Sequence, residues 1–236
     1  MFVDQSEYRV RCEWSERGIA ALRDAEQFVI VDVLSFTTCV DIAISRGAEI
    51  YPYDGSFDGI DAFAEFHHAR IASRGRTSSA PSLSPVSMQL LKESERLVLP
   101  SPNGSRLSLA AEGHPTIAGS LRNATAVANA LTASNESVAI IPCGERWPDG
   151  TLRFALEDWI GAGAIIHHLT GSKSPEAFAA EGAFLATAAN LQNVLLACSS
   201  GKELIERGAI EDVLLAAALN ESNAVPQLQG VRYVRG

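Results

Sequence analysis

The sequence predicts an α/β protein, a three-layer α/β/α structure with a largely parallel or mixed sheet. Short apolar runs, such as residues 28–34 (FVIVDVL), have the continuous hydrophobicity of strands that are buried on both faces. Segments with helical patterning separate these runs, and their lengths are typical of βαβ units. With 236 residues, the chain is long enough to bury a sizeable core as one domain.

The first part of the chain already shows this alternation. Residues 28–34 and 48–53 (AEIYPY) predict strands, and residues 59–73 are amphipathic and predict a helix. Gly47 ends the helix between the two strands. The predicted elements are strands at 8–13, 28–34 and 48–53 and helices at 15–23, 36–46 and 59–73.

A loop is predicted at residues 74–85, which are rich in Ser, Pro, Gly and Thr. We expect one α/β domain over residues 1–236, and a division into two lobes would fall near this loop. The alternation then resumes, with another buried strand at residues 137–142 (SVAIIP) and a loop at 143–151. The remaining predicted elements are strands at 96–99 and 116–118 and helices at 103–112, 123–132, 154–169, 175–196 and 201–220.

The amino-acid composition argues against nucleic-acid binding and membrane association. The 28 acidic and 19 basic residues give a formal net charge of −9, and no run of Lys and Arg forms a basic patch, so nucleic-acid binding is not expected. No apolar stretch reaches the roughly 20 residues that span a bilayer, and the N-terminal residues lack signal-peptide features. We therefore expect a cytoplasmic protein with reduced cysteines and no membrane association. A homodimer is the expected assembly, because such dimers are the commonest oligomers.

Ligands bind beyond the carboxyl ends of strands in open α/β sheets, and four such junctions carry polar residues. The first is VDVLSFTT, in which Asp32 ends a buried strand and Ser35, Thr37 and Thr38 begin the next helix. A carboxylate here can hold a hard cation such as Mg²⁺, and hydroxyls with helix N–H groups can hold an anion. Alternatively, the hydroxyls cap the helix and Asp32 has a local structural partner.

The second junction, LPSPNGSRL, has the composition of a small phosphate-binding turn. Asn103 and Gly104 form a tight turn, Ser105 caps the following helix, and Arg106 adds a fork-shaped cation. An Asn-Gly turn is also common in loops without any ligand.

The third junction, AGSLRNA, contributes Gly119, Ser120 and Asn123. Taken by itself, this turn is best interpreted as a helix cap. We nevertheless expect the four junctions to meet in one cleft, because each lies at the carboxyl end of a strand.

The fourth junction is IIPCGERWPDGTLRFALEDW. Gly144, Glu145 and Arg146 lie in its loop, and Glu157 and Asp158 are adjacent acids in the next helix. Successive helix residues point about 100° apart, so only one of the two acids can face a given site squarely. Acids near a helix start also simply favour the helix dipole.

Several standard phosphate-handling motifs do not occur. A cysteine phosphatase needs Arg after five intervening residues, and neither Cys143 nor Cys198 has one at that spacing. A haloacid-type enzyme needs Asp-x-Asp, whereas Leu34 follows Asp32 at that interval. The Walker P-loop, the GxSxG elbow and the HExxH zinc motif are also missing.

Taken together and in this order, the junctions resemble the 2-phosphosulfolactate phosphatase family over nearly the whole chain. The matching segments read VDVLSFTT, SPNGSR, GSLRNA, PCGER and LEDWIGAG, and the tail ACSSGKELIERGAIEDVLLAAALNESNAVP is similar as well. The resemblance implies an α/β/α phosphomonoester hydrolase that depends on Mg²⁺. The family reaction converts 2-phospho-3-sulfolactate and water to 3-sulfolactate and phosphate, a step toward coenzyme M.

By position, the resemblance makes Asp32, Glu157 and Asp158 the metal ligands and acid–base candidates, and it makes residues 103–105 the phosphate loop. The full set of candidate substrate-binding residues is Ser35, Thr37, Thr38, Asn103, Gly104, Ser105, Arg106, Gly119, Ser120, Asn123, Gly144, Glu145 and Arg146.

Two departures from the family pattern bear on the substrate. Ser35 stands where the family has Arg, and serine cannot make the bidentate contacts of a guanidinium with phosphate or sulfonate. The family's G-N-S-P loop appears as PSLSP at residues 81–85. Arg106 and Arg146 are the candidates to supply the missing positive charge.

Two functions follow from these observations. The first is a Mg²⁺-dependent phosphatase in which an activated water attacks a small phosphorylated acid. The second is a non-catalytic protein that binds an anion or a phosphorylated metabolite on the same scaffold, which Ser35 favours. Intact Asp32, Glu157 and Asp158 favour the first.

Overall fold

The computed structural model describes residues 2–54, 57–76, 79–134 and 136–236. Within these residues, a large sheet is covered by helices on both faces, which confirms the predicted α/β class. The strands are β1 (Val10–Cys12), β2 (Gln27–Val31), β3 (Glu49–Tyr53), β4 (Arg70–Ile71), β5 (Arg96–Pro100), β6 (Thr116–Gly119), β7 (Val138–Pro142), β8 (Glu145–Arg146), β9 (Leu152–Arg153), β10 (Pro226–Gln229) and β11 (Arg232–Arg235).

The described α-helices surround this sheet. They are α1 (Ser15–Ala21), α2 (Phe36–Ser45), α3 (Ile60–Phe66), α4 (Pro85–Met88), α5 (Gly104–Ala110), α6 (Ala124–Ser134), α7 (Leu156–His168), α8 (Pro175–Thr187), α9 (Leu191–Ala197), α10 (Ser199–Glu206) and α11 (Ile210–Ala216). In the part of the chain that the structure describes, none of the helices combines the length and apolarity needed to cross a bilayer.

Strand β2 shows why the sheet needs a helical layer on each side. It lies between β7 and β6 and runs parallel to both. Phe28 and Ile30 point to the side that packs against α1 and α5, whereas Val29 and Val31 point to the side covered by α6 and α7. All four side chains are fully buried, so the apolar run is continuous rather than alternating.

A C-terminal hairpin divides the sheet into two parallel groups of strands. The strand order is β1-β7-β2-β6-β10-β11-β3-β5-β4, while β8 and β9 form a separate hairpin. Because β10 is antiparallel to β6, and β11 is antiparallel to both β10 and β3, the β3-β5-β4 group runs opposite to β2. The sheet is therefore mixed, within the range that the sequence predicted.

The hydrophobic pattern does not predict this hairpin, and several helices end at other residues than it predicts. The helix predicted at residues 59–73 ends at Phe66, because His68 adopts a left-handed conformation and the chain continues into β4. The helix predicted at 201–220 is two helices, α10 and α11, separated at Gly208, which has φ +76°. The helix predicted at 175–196 is likewise two, α8 and α9, joined by a 3-10 turn.

The two predicted loops also contain regular structure at their edges. The loop at 143–151 includes β8, which pairs with β9. The loop at 74–85 ends where Pro85 starts α4, and its residues 77–78 lie outside the described residues.

Candidate functional site

A cleft of about 600 Å³ opens where β2, β5 and β7 end. Its walls carry both carboxylates and guanidinium groups, which is the composition of a site for a small anion and a cation. The lining residues are Asp32, Leu34, Ser35, Ser73, Arg74, Gly75, Arg76, Leu83, Ser101, Pro102, Asn103, Glu145, Glu203 and Arg207.

Asp32 joins the ends of β2 and β5. Its Oδ1 accepts the N–H of Phe36 at 3.0 Å, and its Oδ2 accepts the N–H of Gly104 at 2.9 Å, so one carboxylate serves the first turns of α2 and α5. Although β5 runs opposite to β2 in the sheet, these two hydrogen bonds show that the segments following the two strands meet at Asp32. A Cβ on Gly104 would lie only 2.3 Å from the ring of Phe36, so this approach requires glycine.

Asp158 joins the end of β7 to the same region. Its Oδ1 accepts the N–H of Val33 at 2.7 Å, and its Oδ2 accepts the N–H of Gly144 at 2.9 Å. Glu157 is also buried, and its Oε2 accepts a hydrogen bond from the thiol of Cys198 at 3.4 Å. Both acids therefore lie behind the cleft wall rather than among the residues that line it.

Glu145 is one of the three carboxylates on the cleft wall, with Asp32 and Glu203. It follows β7 on the short strand β8, and its Oε2 accepts a hydrogen bond from the Asn103 amide at 2.9 Å. The second and fourth predicted junctions therefore meet through this pair.

Burial controls the charge of these acids. It raises the pKa of Asp32 to about 6, and the neighbouring Glu157 adds to the rise, while the two backbone N–H groups and Arg76 oppose it. Burial likewise raises the pKa of Glu145 to about 7, with a further contribution from Asp32. The pKa of Asp158 is raised well above its usual range by burial and by the charges of Asp32 and Glu157. A bound cation would favour the ionised forms of all these groups.

The three hydroxyls after Asp32 have different partners. Ser35 lines the cleft, and its Oγ accepts a hydrogen bond from Arg76. Thr37 Oγ1 bonds to the backbone N–H and C=O of Asp32, and Thr38 Oγ1 donates to the C=O of Val33. Both threonines are fully buried and fix the turn between β2 and α2.

Two predicted arginines lie outside the cleft. Arg106 Nε is 2.9 Å from Glu16, and Arg146 Nη2 is 2.8 Å from the same carboxylate on α1. Neither lines the cleft, so the expectation that one of them replaces the missing family arginine is not supported. Ser105 also points away, because its Oγ donates to the C=O of Leu99.

The third junction lies apart from the cleft. Asn123 Oδ1 accepts from the N–H and hydroxyl of Ser120, and its amide donates to the C=O of Ala118 and Ala224. Gly119 packs beneath α7, where a Cβ would lie 2.5 Å from Ile165. Asn123 therefore closes this turn and ties it to the segment before β10, and three of the four junctions meet rather than all four.

The positive charge of the cleft comes from arginines outside the four predicted junctions. Arg76 Nη2 donates to Ser35 Oγ at 3.0 Å, and Arg74 and Arg207 also line the cleft. The Arg74 guanidinium lies 4.2 Å from the centre of the Phe57 ring. The short spacing of Arg74 and Arg76 in a Ser- and Gly-rich loop was the available sequence signal.

Of the three predicted Mg²⁺ ligands, Asp32, Glu157 and Asp158, only Asp32 lines the cleft. Among the described residues, no group of three or more His, Cys, Asp or Glu side chains is arranged to hold a metal ion. Mg²⁺ is, however, commonly bound by one or two carboxylates together with waters and substrate phosphates. Asp32 and Glu145 both line the cleft and meet that requirement, whereas Glu157 and Asp158, the other two predicted ligands, do not line it.

The fold and the cleft define an α/β enzyme that gathers carboxylates and arginines at strand ends. The chain belongs to the 2-phosphosulpholactate phosphatase family, whose model matches residues 18–230. It is 33% identical over 218 residues to a "Probable 2-phosphosulfolactate phosphatase" of Carboxydothermus hydrogenoformans, covering 87% of this chain and 88% of that protein.

Two further relatives extend the comparison to other lineages. A "Probable 2-phosphosulfolactate phosphatase" of Gloeobacter violaceus is 26% identical, with 84% of this chain and 86% of that protein covered. A "2-phosphosulfolactate phosphatase" of Methanocaldococcus jannaschii is 25% identical over the same shares of the two chains.

Proposed function

We propose that this protein is a Mg²⁺-dependent phosphatase that hydrolyses 2-phospho-3-sulfolactate to 3-sulfolactate and phosphate. The observation that carries the proposal is the cleft itself, which combines Asp32 and Glu145 with three arginines in a chain of this family. Such a substrate carries phosphoryl, carboxylate and sulfonate groups, and several guanidinium groups are suited to bind them.

Arg76 is the residue that we assign to the phosphoryl group. Its guanidinium donates to Ser35 and lines the same cleft as Asp32, and its charge opposes the rise in the pKa of that carboxylate. Arg74 and Arg207 line the same cleft and would bind the carboxylate and sulfonate groups. The arginines bind and orient the anion, and their charge stabilises the phosphoryl group in the transition state.

Asp32 and Glu145 would hold the metal ion. When bound there, Mg²⁺ supplies charge neutralisation and polarises the phosphoryl oxygens. The Asn103 amide orients the Glu145 carboxylate, and the backbone N–H groups of Phe36 and Gly104 orient Asp32. Preorganised carboxylates of this kind avoid reorganisation when the substrate binds.

Water is the proposed nucleophile. Burial raises the pKa of the Cys143 thiol well above its usual range, and the neighbouring acids add to the rise, so the reactive thiolate is not formed. The thiol of Cys198 is held in its neutral form for the same reasons.

The context proposed for this activity is the cytoplasm, as a homodimer, in a route toward coenzyme M and without nucleic acid. The net charge of −9 supports a partner that is a small molecule rather than a phosphate polymer.

The test is release of phosphate from 2-phospho-3-sulfolactate by the purified protein with Mg²⁺ and with EDTA. We expect release with Mg²⁺ only, and we expect Arg76→Ala to lower kcat/KM by about a hundredfold because charge-assisted contacts to the phosphoryl group are lost. Arg70→Ala is the matched control, since Arg70, on the edge strand β4, pairs with Glu95 and does not line the cleft. Phosphate binding without any release over a panel of phosphorylated acids would favour the anion-binding alternative.

A further inference from the structure

Arg76 connects the cleft to helix α11. Its Nη2 donates to Ser35 Oγ on the cleft side, and its Nη1 donates to Asp212 Oδ2 at 3.1 Å on the other side. The Arg76 side chain is 21% exposed, whereas that of Asp212 is 3% exposed. A buried carboxylate outside the cleft lining therefore holds the guanidinium from behind.

Asp212 uses both of its oxygens. While Oδ2 accepts from Arg76, Oδ1 accepts the Ser84 hydroxyl at 2.6 Å and the Val86 N–H at 3.0 Å. Ser84 and Val86 flank the start of α4, so the carboxylate ties the Arg76 segment to α4 and α11. These hydrogen bonds restrict the Arg76 side chain more than its position on an irregular segment alone would.

We propose that Asp212 is a positioning residue that holds the Arg76 guanidinium beside Ser35 in the cleft that Asp32 also lines, in the orientation that receives phosphoryl oxygens. The proposal rests on the proposed function in assigning Arg76 to the phosphoryl group. A guanidinium carries its donors in a planar fork, so its orientation decides how many of them reach an oxyanion. Fixing the side chain beforehand also removes the entropy cost of ordering it when the anion binds.

A positioning role and a charge-balancing role give opposite expectations for Asp212→Asn. If only charge mattered, removal of a negative charge near the cleft would tighten anion binding. Asparagine, however, has one acceptor oxygen where the carboxylate uses two, so it cannot serve α4 and Arg76 together. A positioning role therefore predicts weaker anion binding despite the more positive charge.

The experiment is calorimetric titration with inorganic phosphate of the wild type, Asp212→Asn, Arg76→Ala and the double variant. We expect Asp212→Asn to raise the Kd by about tenfold and Arg76→Ala to raise it further. The double variant is expected to match Arg76→Ala, because Asp212 acts through Arg76.

Asp41→Asn is the matched control. Asp41 is also buried and bonded to an arginine, with Arg122 Nε at 2.9 Å, but neither residue lines the cleft. We expect this control to bind phosphate with the wild-type Kd, whatever its effect on melting temperature. A weakening in Asp41→Asn equal to that in Asp212→Asn would overturn the specific role of Asp212.

Three other results would also overturn the proposal: a Kd for Asp212→Asn equal to or below that of the wild type, a further weakening when Asp212→Asn is added to Arg76→Ala, or a wild type that binds no phosphate. The titration needs no turnover. A protein that binds phosphate through this pair but hydrolyses no phosphomonoester would contradict the proposed function while supporting the role of Asp212.

Asp212→Glu is the second variant if Asp212→Asn fails to fold. It keeps the charge and both acceptor oxygens but displaces the carboxylate by one methylene. We expect its Kd for phosphate to rise by about threefold in the wild-type background and not at all in the Arg76→Ala background. An unchanged Kd in the wild-type background would then overturn the proposal.

Discussion

Asp32 caps two helices and faces the cleft with the same carboxylate. The N–H groups of Phe36 and Gly104 bind its two oxygens, and burial nevertheless raises its pKa to about 6. The sequence left two alternatives for this residue, a metal ligand or a structural partner of helix N–H groups. The geometry establishes the second and is compatible with the first, because each carboxylate oxygen has a further lone pair.

We expect Asp32→Asn to abolish Mg²⁺-dependent phosphate release while changing the melting temperature in EDTA by only a few degrees. The amide loses one of the two N–H contacts, which costs about 1–2 kcal/mol, but it also removes a buried negative charge. Activity assays and thermal melts with EDTA and with Mg²⁺ measure the two effects. Retention of wild-type activity would exclude Asp32 from the chemistry. A large drop in melting temperature in EDTA would show that its main role is structural.

At the scale of elements, the hairpin of β10 and β11 decides how the sheet is assembled. Tyr233 on β11 is fully buried, and its hydroxyl donates to Ser108 Oγ, which in turn donates to the C=O of Gly104. The hairpin therefore supports the first turn of α5, whose Gly104 N–H binds Asp32. The C-terminal hairpin, although distant in sequence from Asp32, thus helps to fix the position of the Gly104 N–H at the cleft.

We expect Tyr233→Ala to destabilise the protein by about 3–5 kcal/mol, because a large aromatic side chain is lost from the core. Tyr233→Phe should cost only about 1 kcal/mol, because it removes one hydrogen bond and leaves the packing intact. Urea unfolding followed by circular dichroism measures both values. Equal effects of the two substitutions would show that the hydroxyl, and not the ring, carries the contribution.

The sequence predicted those parts of the site that follow a strand directly. Asp32 and Glu145 come after long apolar runs, so their place at strand ends could be inferred from hydrophobicity alone. Arg76 reaches Ser35 from an irregular segment 41 positions later, and only tertiary packing brings it there. Arg106 and Arg146 lie in two of the junctions that the sequence predicts, but both pair with Glu16 on α1, a tertiary contact that holds them outside the cleft.

The missed hairpin has a similar cause. Its strands are short and polar, and the turn at Gly230 joins them without an intervening helix, so the βαβ pattern gave no reason to expect them. Their position between β6 and β3 depends on contacts far apart in the sequence.

At the scale of the whole molecule, the buried acids around the cleft lower the free energy of unfolding at neutral pH when no metal ion is bound. The folded-state pKa of Asp32, about 6, exceeds its usual value of 3.8, and that of Glu145, about 7, exceeds 4.5. The folded protein therefore binds more protons than the unfolded chain between these values. The resulting stability is fully present below about pH 4 and is lost as the pH rises through 6 and 7.

We expect the melting temperature in EDTA to fall by several degrees between pH 5 and pH 8. For Asp32 alone, the rise from 3.8 to about 6 corresponds to about 3 kcal/mol over the whole titration, of which roughly half is lost between pH 5 and pH 8. Differential scanning calorimetry across this range measures the change, and Mg²⁺ at pH 8 should reverse much of it by favouring the charged carboxylates.

The double variant Asp32→Asn with Glu145→Gln is the control for this pH dependence. Acids with lowered pKa values, such as Glu16 and Glu181, change stability below their usual value of 4.5 and leave this window unaffected. The double variant should therefore show a smaller fall in melting temperature from pH 5 to pH 8. The slope that remains is expected from Asp158, because burial also raises its pKa well above the usual range. A slope equal to that of the wild type would assign the effect to other groups.

The place of β10 and β11 between the two groups of strands also affects how the chain folds during its synthesis. All the strands that they join precede them in the chain, so the ribosome makes β6 and β3 long before the hairpin that pairs with both. Until it emerges, each group presents an unpaired apolar edge, and such edges favour association with other chains. Two nascent copies of this protein on one messenger RNA would expose the same unpaired strand edges. A chaperone that covers these edges during translation would therefore raise the yield of folded protein, but it would not change the stability of the finished fold.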